Sequence, residues 1–92
     1  MILAKATLVA GPRHEKYVAG TSLPALLFVN VHSDDGLEKV ASRELADLGW
    51  ASMAIESYKD VTDHEQFQGK ETPEAAAFRE AVDTGFGVVV YP

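Results

Sequence analysis

The most constraining feature of this chain is a strand–helix–strand unit over residues 25–58. An apolar strand leads to Asp35, which stands three residues before Glu38. This spacing is typical of a capping box, in which the two side chains satisfy backbone amides at the start of a helix. Gly49 ends the helix where glycine accepts a left-handed backbone, and a second apolar strand follows. Because these local signals agree, the unit predicts a folded domain built from helix and sheet.

A second helix begins and ends with similar signals. Thr72 is the predicted N-cap, Pro73 the first helical residue and Gly85 the stop. Each helix carries one apolar stripe, which predicts that it packs on the sheet through one side. The stripe residues are Leu37, Val40, Ala41, Leu45 and Leu48 in the first helix and Ala75, Phe78, Ala81 and Val82 in the second.

Four segments have the composition of strands, namely residues 2–9, 25–32, 51–58 and 86–91. The second and the fourth are apolar on both faces, which is typical of strands that are buried on both sides. We therefore predict that these two strands lie in the middle of the sheet. Residues 11–24 form a long connection, in which residues 17–19 are a candidate fifth strand.

These elements predict a single α+β domain over residues 1–92. Its predicted architecture is a two-layer sandwich, in which a mainly antiparallel sheet of four or five strands carries both helices on one face. The alternation of strands and helices resembles that of ferredoxin-like α/β plaits. The order departs from the plait because residues 61–70 are too polar to supply the second strand that it has between its helices.

With both helices on one face, the other face of the sheet needs a different cover. Its apolar candidates are Leu3, Val9, Leu26, Phe28, Val89 and Tyr91. Large apolar patches are rare on soluble monomers. We therefore predict a homodimer, in which a second copy covers this helix-free face through a two-fold axis. The alternative cover is the long connection at residues 11–24.

The charge of the chain is unevenly distributed. The net charge is −6, and residues 34–92 carry five basic and thirteen acidic side chains, a balance of −8. Because an acidic surface repels phosphate backbones, nucleic-acid binding is not expected. The same surface would attract a basic protein, as an immunity or antitoxin protein does, although acidity also serves solubility alone.

The chain has no cysteine, and small secreted domains usually depend on disulfides. A cytoplasmic location is therefore expected. The longest nearly uninterrupted apolar run, residues 23–29, is too short to cross a bilayer, so no membrane association is expected either.

Two sets of residues are candidates for catalysis. His32 and Asp34 lie at the predicted junction of a central strand and a helix, where a histidine beside carboxylates could act as a base. If its strand face is the one covered by a partner, Glu56 is paired or lies at the interface rim. Otherwise Glu56 is a candidate general base. The alternative for Asp34 and its neighbour Asp35 is helix capping alone.

Candidate ligand residues lie in two loops and one strand. Asp60, Asp63 and His64 offer oxygen and imidazole ligands for a divalent metal, against the alternative of a solvated acidic loop. Arg13 and His14 belong to the long connection, and long ordered loops often carry function; the alternative is a charged turn. Tyr58 is a candidate for a binding surface because it shares one face of its strand with Glu56, two residues away.

No motif in the sequence specifies a reaction or a cofactor. The chain has no cysteine nucleophile and no G-x-S-x-G motif, and its Gly85-Phe86-Gly87 sequence follows a predicted helix, which is not the context of a dinucleotide fingerprint. The sequence therefore favours a small non-catalytic binding or regulatory domain that acts as a homodimer. The alternatives are an acidic immunity-type protein and a small enzyme that uses histidine, carboxylates or a metal.

Overall fold

The fold is described from a computed structural model and covers residues 1–31, 36–60 and 72–91. The described part contains four strands and two helices. In chain order they are β1 (Ile2–Ala10), β2 (Ser22–Val29), α1 (Leu37–Asp47), β3 (Trp50–Asp60), α2 (Pro73–Thr84) and β4 (Phe86–Val90).

The strands form one antiparallel sheet in the order β3-β1-β2-β4. This confirms the predicted α+β class and the antiparallel sheet. The register of β1 and β2 places Ala4 opposite Leu27 and Ala6 opposite Ala25, and all four side chains are buried. The small alanine side chains of β1 allow a helix to approach this face of the sheet closely.

The prediction for the central strands is half correct. β2 lies in the middle of the sheet, but β4 is an edge strand, and its predicted central place belongs to β1. β4 is apolar on both faces because both are covered: Val89 packs against α2, and Phe86 belongs to the core on the other side. An apolar run thus reports burial on two faces and does not report the number of neighbouring strands.

The two helices pack on opposite faces of the sheet. Leu37, Ala41 and Leu45 of α1 share a core with Ile2, Ala4, Leu8 and Leu27. Ala77, Phe78 and Ala81 of α2 share a second core with Phe28 and Val89. Leu27 and Phe28 are adjacent in β2 and point to opposite faces, and both are completely buried. The predicted placement of both helices on one face is therefore wrong, and the sheet lies between two helical layers.

The helix-free face on which the dimer prediction depends is not present as predicted, because α2 covers much of it. The homodimer itself stays a prediction. The part of this face beyond α2, on β1 and β3, is mostly exposed and polar. It includes the exposed Lys5, Ser52, Ser57 and Lys59, together with the half-buried Leu3, Thr7 and Val9. This composition needs no second copy to shield it from water.

The connection at residues 11–21 does not cover that face either. Its Tyr17 packs against the core on the α1 side. Residues 17–19, the candidate fifth strand, form no strand, and β2 begins earlier than predicted, at Ser22.

The helix ends follow the sequence signals where they are described. The Thr72 side chain accepts a hydrogen bond from the Ala75 amide at 3.1 Å, and Gly85 ends α2 with a φ of 98°. At α1 the N-cap position is held by Gly36, without a side-chain cap. Asp35, the predicted cap, lies outside the described residues. No described helix is long and apolar enough to span a membrane.

The pairing of β3 with β1 shifts in register between Lys5 and Ala6. Ile55 stands opposite Ala6, and Tyr58 stands opposite Ala4. Simple alternation would place Ile55 and Tyr58 on opposite faces, but their partners in β1 share one face. An extra residue at a β-bulge has this effect. The strand face that strict alternation predicts for Tyr58 is therefore wrong.

A hydrogen bond joins the end of β4 to the start of α2 and gives a prediction for pH. The Tyr91 hydroxyl donates to Glu74 Oε1 at 2.7 Å. This bond is the main reason why the pKa of Glu74 is lowered. Burial, followed by the bond to Glu74, raises the pKa of Tyr91 to about 12.

We therefore expect the Tyr91–Glu74 contact to stabilise the fold above the ordinary pKa of glutamate and to lose this effect as pH falls through the lowered value. At the alkaline end its contribution is lost as pH rises from the ordinary tyrosine pKa to about 12. Urea unfolding from pH 3 to 7 should show the difference between Tyr91→Phe and the original protein shrinking towards acid. A difference that grows towards acid would contradict this assignment.

Candidate functional site

The imidazole of His14 is held in a fixed orientation by its own loop. Its Nδ1 accepts hydrogen bonds from the backbone amides of Lys16, at 3.1 Å, and Tyr17, at 3.2 Å. Its own backbone amide donates to the Gly11 carbonyl at 3.2 Å. Because Nδ1 serves as an acceptor, the proton of the neutral ring is assigned to Nε2.

Three aromatic rings meet at this point. The centroids of His14 and Trp50 lie 4.4 Å apart with the rings near perpendicular, at 65°. Tyr17 lies 5.2 Å from His14 and 5.9 Å from Trp50. Trp50, the first residue of β3, is 6% exposed and belongs to the main core. The ring of His14 is therefore positioned both by the loop backbone and by a residue of the rigid sheet.

The end of α1 packs directly against the loop that carries His14. Gly49 has a φ of 95°, and its carbonyl accepts a hydrogen bond from the Gly11 amide at 2.9 Å. A Cβ atom at Gly49 would lie 2.9 Å from the Cα of His14, which is too close for a side chain. Glycine at this position thus ends the helix and also lets the loop pack directly on the helix end.

The loop and the helix end enclose a cleft of about 530 Å³, which we call the His14 cleft. Its lining residues are Arg13, His14, Glu15, Lys16, Ala46, Asp47, Leu48 and Gly49. A second cavity of about 380 Å³ adjoins it through His14, Lys16 and Leu48 and reaches Tyr17 and Trp50. Small-molecule sites have volumes of roughly 300–1,000 Å³, so the His14 cleft is large enough for a small ligand.

The chemistry of the His14 cleft is mixed. Arg13 and Lys16 bring positive charge, and Glu15 and Asp47 bring negative charge, all at the exposed rim. The Lys16 ammonium lies 5.4 Å from the centre of the Tyr17 ring, within the range of a cation–π contact. Leu48 adds a half-exposed apolar surface. This combination suits a ligand that has an aromatic or apolar body and a polar group.

The structure brings together two of the binding candidates, Arg13 and His14, and separates them from the third. Tyr58, 51% exposed, lines a different cavity with Leu3 and Leu26. The residues that complete the His14 cleft were not predicted as site residues. Nothing in the local sequence of residues 46–50 indicates that the loop at residues 13–17 packs there.

The other candidates gain no site from the described structure. His32, Asp34, Asp63 and His64 lie outside the described residues. Glu56 is exposed in β3. Asp60 ends β3 and lies 3.9 Å from the N-terminal ammonium of Met1. Within residues 1–31, 36–60 and 72–91, no three histidine or acidic side chains are grouped as metal ligands would be.

The evidence for a function of the His14 cleft comes from its own residues. No family model, no curated protein and no solved structure matches the chain.

Proposed function

We propose that the protein is a small non-catalytic binding domain whose ligand occupies the His14 cleft. The observation that carries this proposal is the fixed imidazole of His14, held by two backbone hydrogen bonds and by the ring of Trp50 at 4.4 Å. A side chain that is already oriented loses little conformational freedom when a ligand binds. Pre-organised polar groups beside an apolar wall are the usual composition of a ligand site.

The ligand that fits this chemistry is a small aromatic molecule with a polar substituent. Its ring would pack beside His14 and Leu48, and its substituent would face the mixed charges of the rim. Tyramine serves as a test compound because its phenol ring suits the aromatic wall and its ammonium suits Glu15 and Asp47. Indole serves as the uncharged comparison.

The experiment is a titration of the protein with tyramine and indole, followed by backbone amide chemical shifts. We expect saturable shifts confined to residues 13–17 and 46–50, together with a change in the fluorescence of Trp50, the only tryptophan. The variant His14→Ala should bind at least fivefold more weakly, whereas Lys39→Gln, on the exposed side of α1, should bind as the original protein does. Shifts that map elsewhere, or equal binding by His14→Ala, would contradict the proposal.

The same variant gives a stability prediction. His14→Ala removes the acceptor of two backbone amides and one aromatic contact, so we expect a loss of about 1–2 kcal/mol in the free energy of unfolding. His14→Asn, which offers a side-chain acceptor, should recover part of the loss. Urea unfolding followed by Trp50 fluorescence measures both variants. No loss for His14→Ala would show that the loop does not depend on this ring.

The predicted partners and location stay predictions. The homodimer has lost the support of a helix-free face, and the basic partner rests only on the acidic charge of the chain. The cytoplasmic location and the histidine–carboxylate enzyme are likewise untested. The native mass of the protein, purified from its own host, tests the homodimer and the basic partner. The mass of a single chain would contradict the homodimer. A mass that leaves no room for a second, basic protein would contradict the immunity-type alternative.

A further inference from the structure

A second candidate site lies on the α2 face of the sheet, beyond the edge of α2. Two rows of side chains cross the strands there, as the register shows. In one row Leu26 stands opposite Lys5, and Lys5 stands opposite Ser57; in the next row Leu3 stands opposite Lys59. Lys5 and Leu3 are two residues apart in β1 and so share this face. Leu3 therefore has Lys5 as its neighbour along β1 and Lys59 as its neighbour on the adjacent strand, β3.

A depression of about 230 Å³ occupies this position and is lined by both lysines. Leu3 and Leu26 are half-buried and pack against the core that contains Phe28 and Phe78. The floor of the depression is thus continuous with the packed core under α2 and is apolar. A volume below 300 Å³ is smaller than a drug-sized site and suits a ligand of about one ring.

The charge at this site is opposite to that of the whole chain. The net charge is −6, but both charged side chains that line the depression are lysines. The nearest acid in sequence, Asp60, lies by the N-terminal ammonium. Within the described part of the chain, neither lysine has a carboxylate partner within 4.0 Å. Two ammonium groups beside an apolar floor favour an anionic group attached to an apolar body.

We propose that this depression binds a small hydrophobic carboxylate, with its apolar body on Leu3 and Leu26 and its carboxylate between Lys5 and Lys59. A free inorganic anion would interact with the lysines but would leave the apolar floor exposed to water. A neutral aromatic molecule would cover the floor but would leave both ammonium groups without a partner. A carboxylate on one ring satisfies both parts of the site. This site is separate from the His14 cleft, whose aromatic residues lie against the core on the α1 side.

The probe is phenylacetate. The control compound is phenylacetamide, which has a similar shape but carries no charge. Amide chemical shifts of the full chain should change saturably with phenylacetate at Lys5, Leu26 and Lys59. We expect phenylacetamide to bind at least fivefold more weakly at these positions. The double variant Lys5→Gln/Lys59→Gln should bind phenylacetate at least fivefold more weakly and phenylacetamide unchanged. The control Lys39→Gln, with its exposed lysine on α1, should bind phenylacetate as the original protein does.

Three results would overturn this proposal. They are equal affinity for phenylacetate and phenylacetamide, unchanged binding of phenylacetate by the double variant, and shifts that appear only at residues 13–17 and 46–50. Because lysines on an exposed strand face contribute little to stability, the double variant should unfold at nearly the same urea concentration as the original protein. The matched unfolding midpoint shows that any loss of binding is local.

Discussion

Gly87→Ala should destabilise the protein by about 3 kcal/mol, at the upper end of the cost of overpacking a core. Gly87 lies in β4 opposite Phe28, directly under α2. A Cβ atom here would lie 2.8 Å from the carbonyl carbon of Ala77 and closer still to its oxygen. Backbone atoms of a helix cannot rotate away as a flexible side chain can, so α2 must move off the sheet.

The matched control for this substitution is Gly36→Ala. Gly36 has a negative φ, and among the residues that the structure describes a Cβ atom there would meet only the side chain of Val31, at 4.0 Å. Because Gly36 holds the N-cap of α1, where glycine is preferred to alanine, we expect its free energy of unfolding to fall by up to about 1 kcal/mol, well below the cost at Gly87. Urea unfolding of the two variants measures the difference. Equal stability of Gly87→Ala and Gly36→Ala would mean that α2 does not lie against β4 as described.

Phe28→Ala should cost about 4 kcal/mol, and Leu27→Ala about 3 kcal/mol. Both side chains are completely buried although they are adjacent in β2 and point to opposite faces. Phe28 packs edge-to-face on Phe78 of α2, with the ring centroids 6.3 Å apart. Leu27 belongs to the core with α1. A sheet with helices on one face only would show a large cost at just one of these two positions in the monomer.

Val9→Ala is the control for Phe28→Ala on the same face. Val9 lies in β1 opposite Ser52 and Ser22, beyond α2, and is half-buried. Its loss of apolar burial should cost roughly 1 kcal/mol. If Phe28→Ala were no more destabilising than Val9→Ala at a protein concentration where sedimentation shows a single chain, the second core would not exist.

The secondary structure and several of its ends could be predicted from the sequence, because their signals are local. Thr72, Pro73 and Gly85 occupy the cap positions that their conformational preferences dictate. The spacing of apolar residues along the chain likewise predicts the four strands and two helices. Each of these features depends on residues within one or two turns of the chain.

The placement of the helices could not be predicted, because an apolar stripe looks the same whichever face of the sheet it covers. The face is decided by strand order and by connections that no local pattern encodes. One signal did exist for α2: Gly87 interrupts an otherwise apolar strand, and a glycine in a strand often marks the close approach of another backbone.

The candidate site was predicted in part. Arg13 and His14 stood out because they belong to a long loop, and the structure places both in the His14 cleft. Trp50 and Leu48, which complete that cleft and its adjoining cavity, are more than thirty residues away in sequence. Their contact with His14 results from tertiary packing of the loop on the end of α1, and single-sequence patterns carry no such information.

The central claim is that a helix packs on each face of the sheet, α1 on one and α2 on part of the other. The most direct test is a nuclear Overhauser measurement on the dilute protein. The account predicts a cross-peak between the ring protons of Phe28 and Phe78, and cross-peaks between Leu27 and the side chains of α1. Cross-peaks from Phe78 to Leu27 or Ala4, with none to Phe28, would place both helices on one face and contradict it.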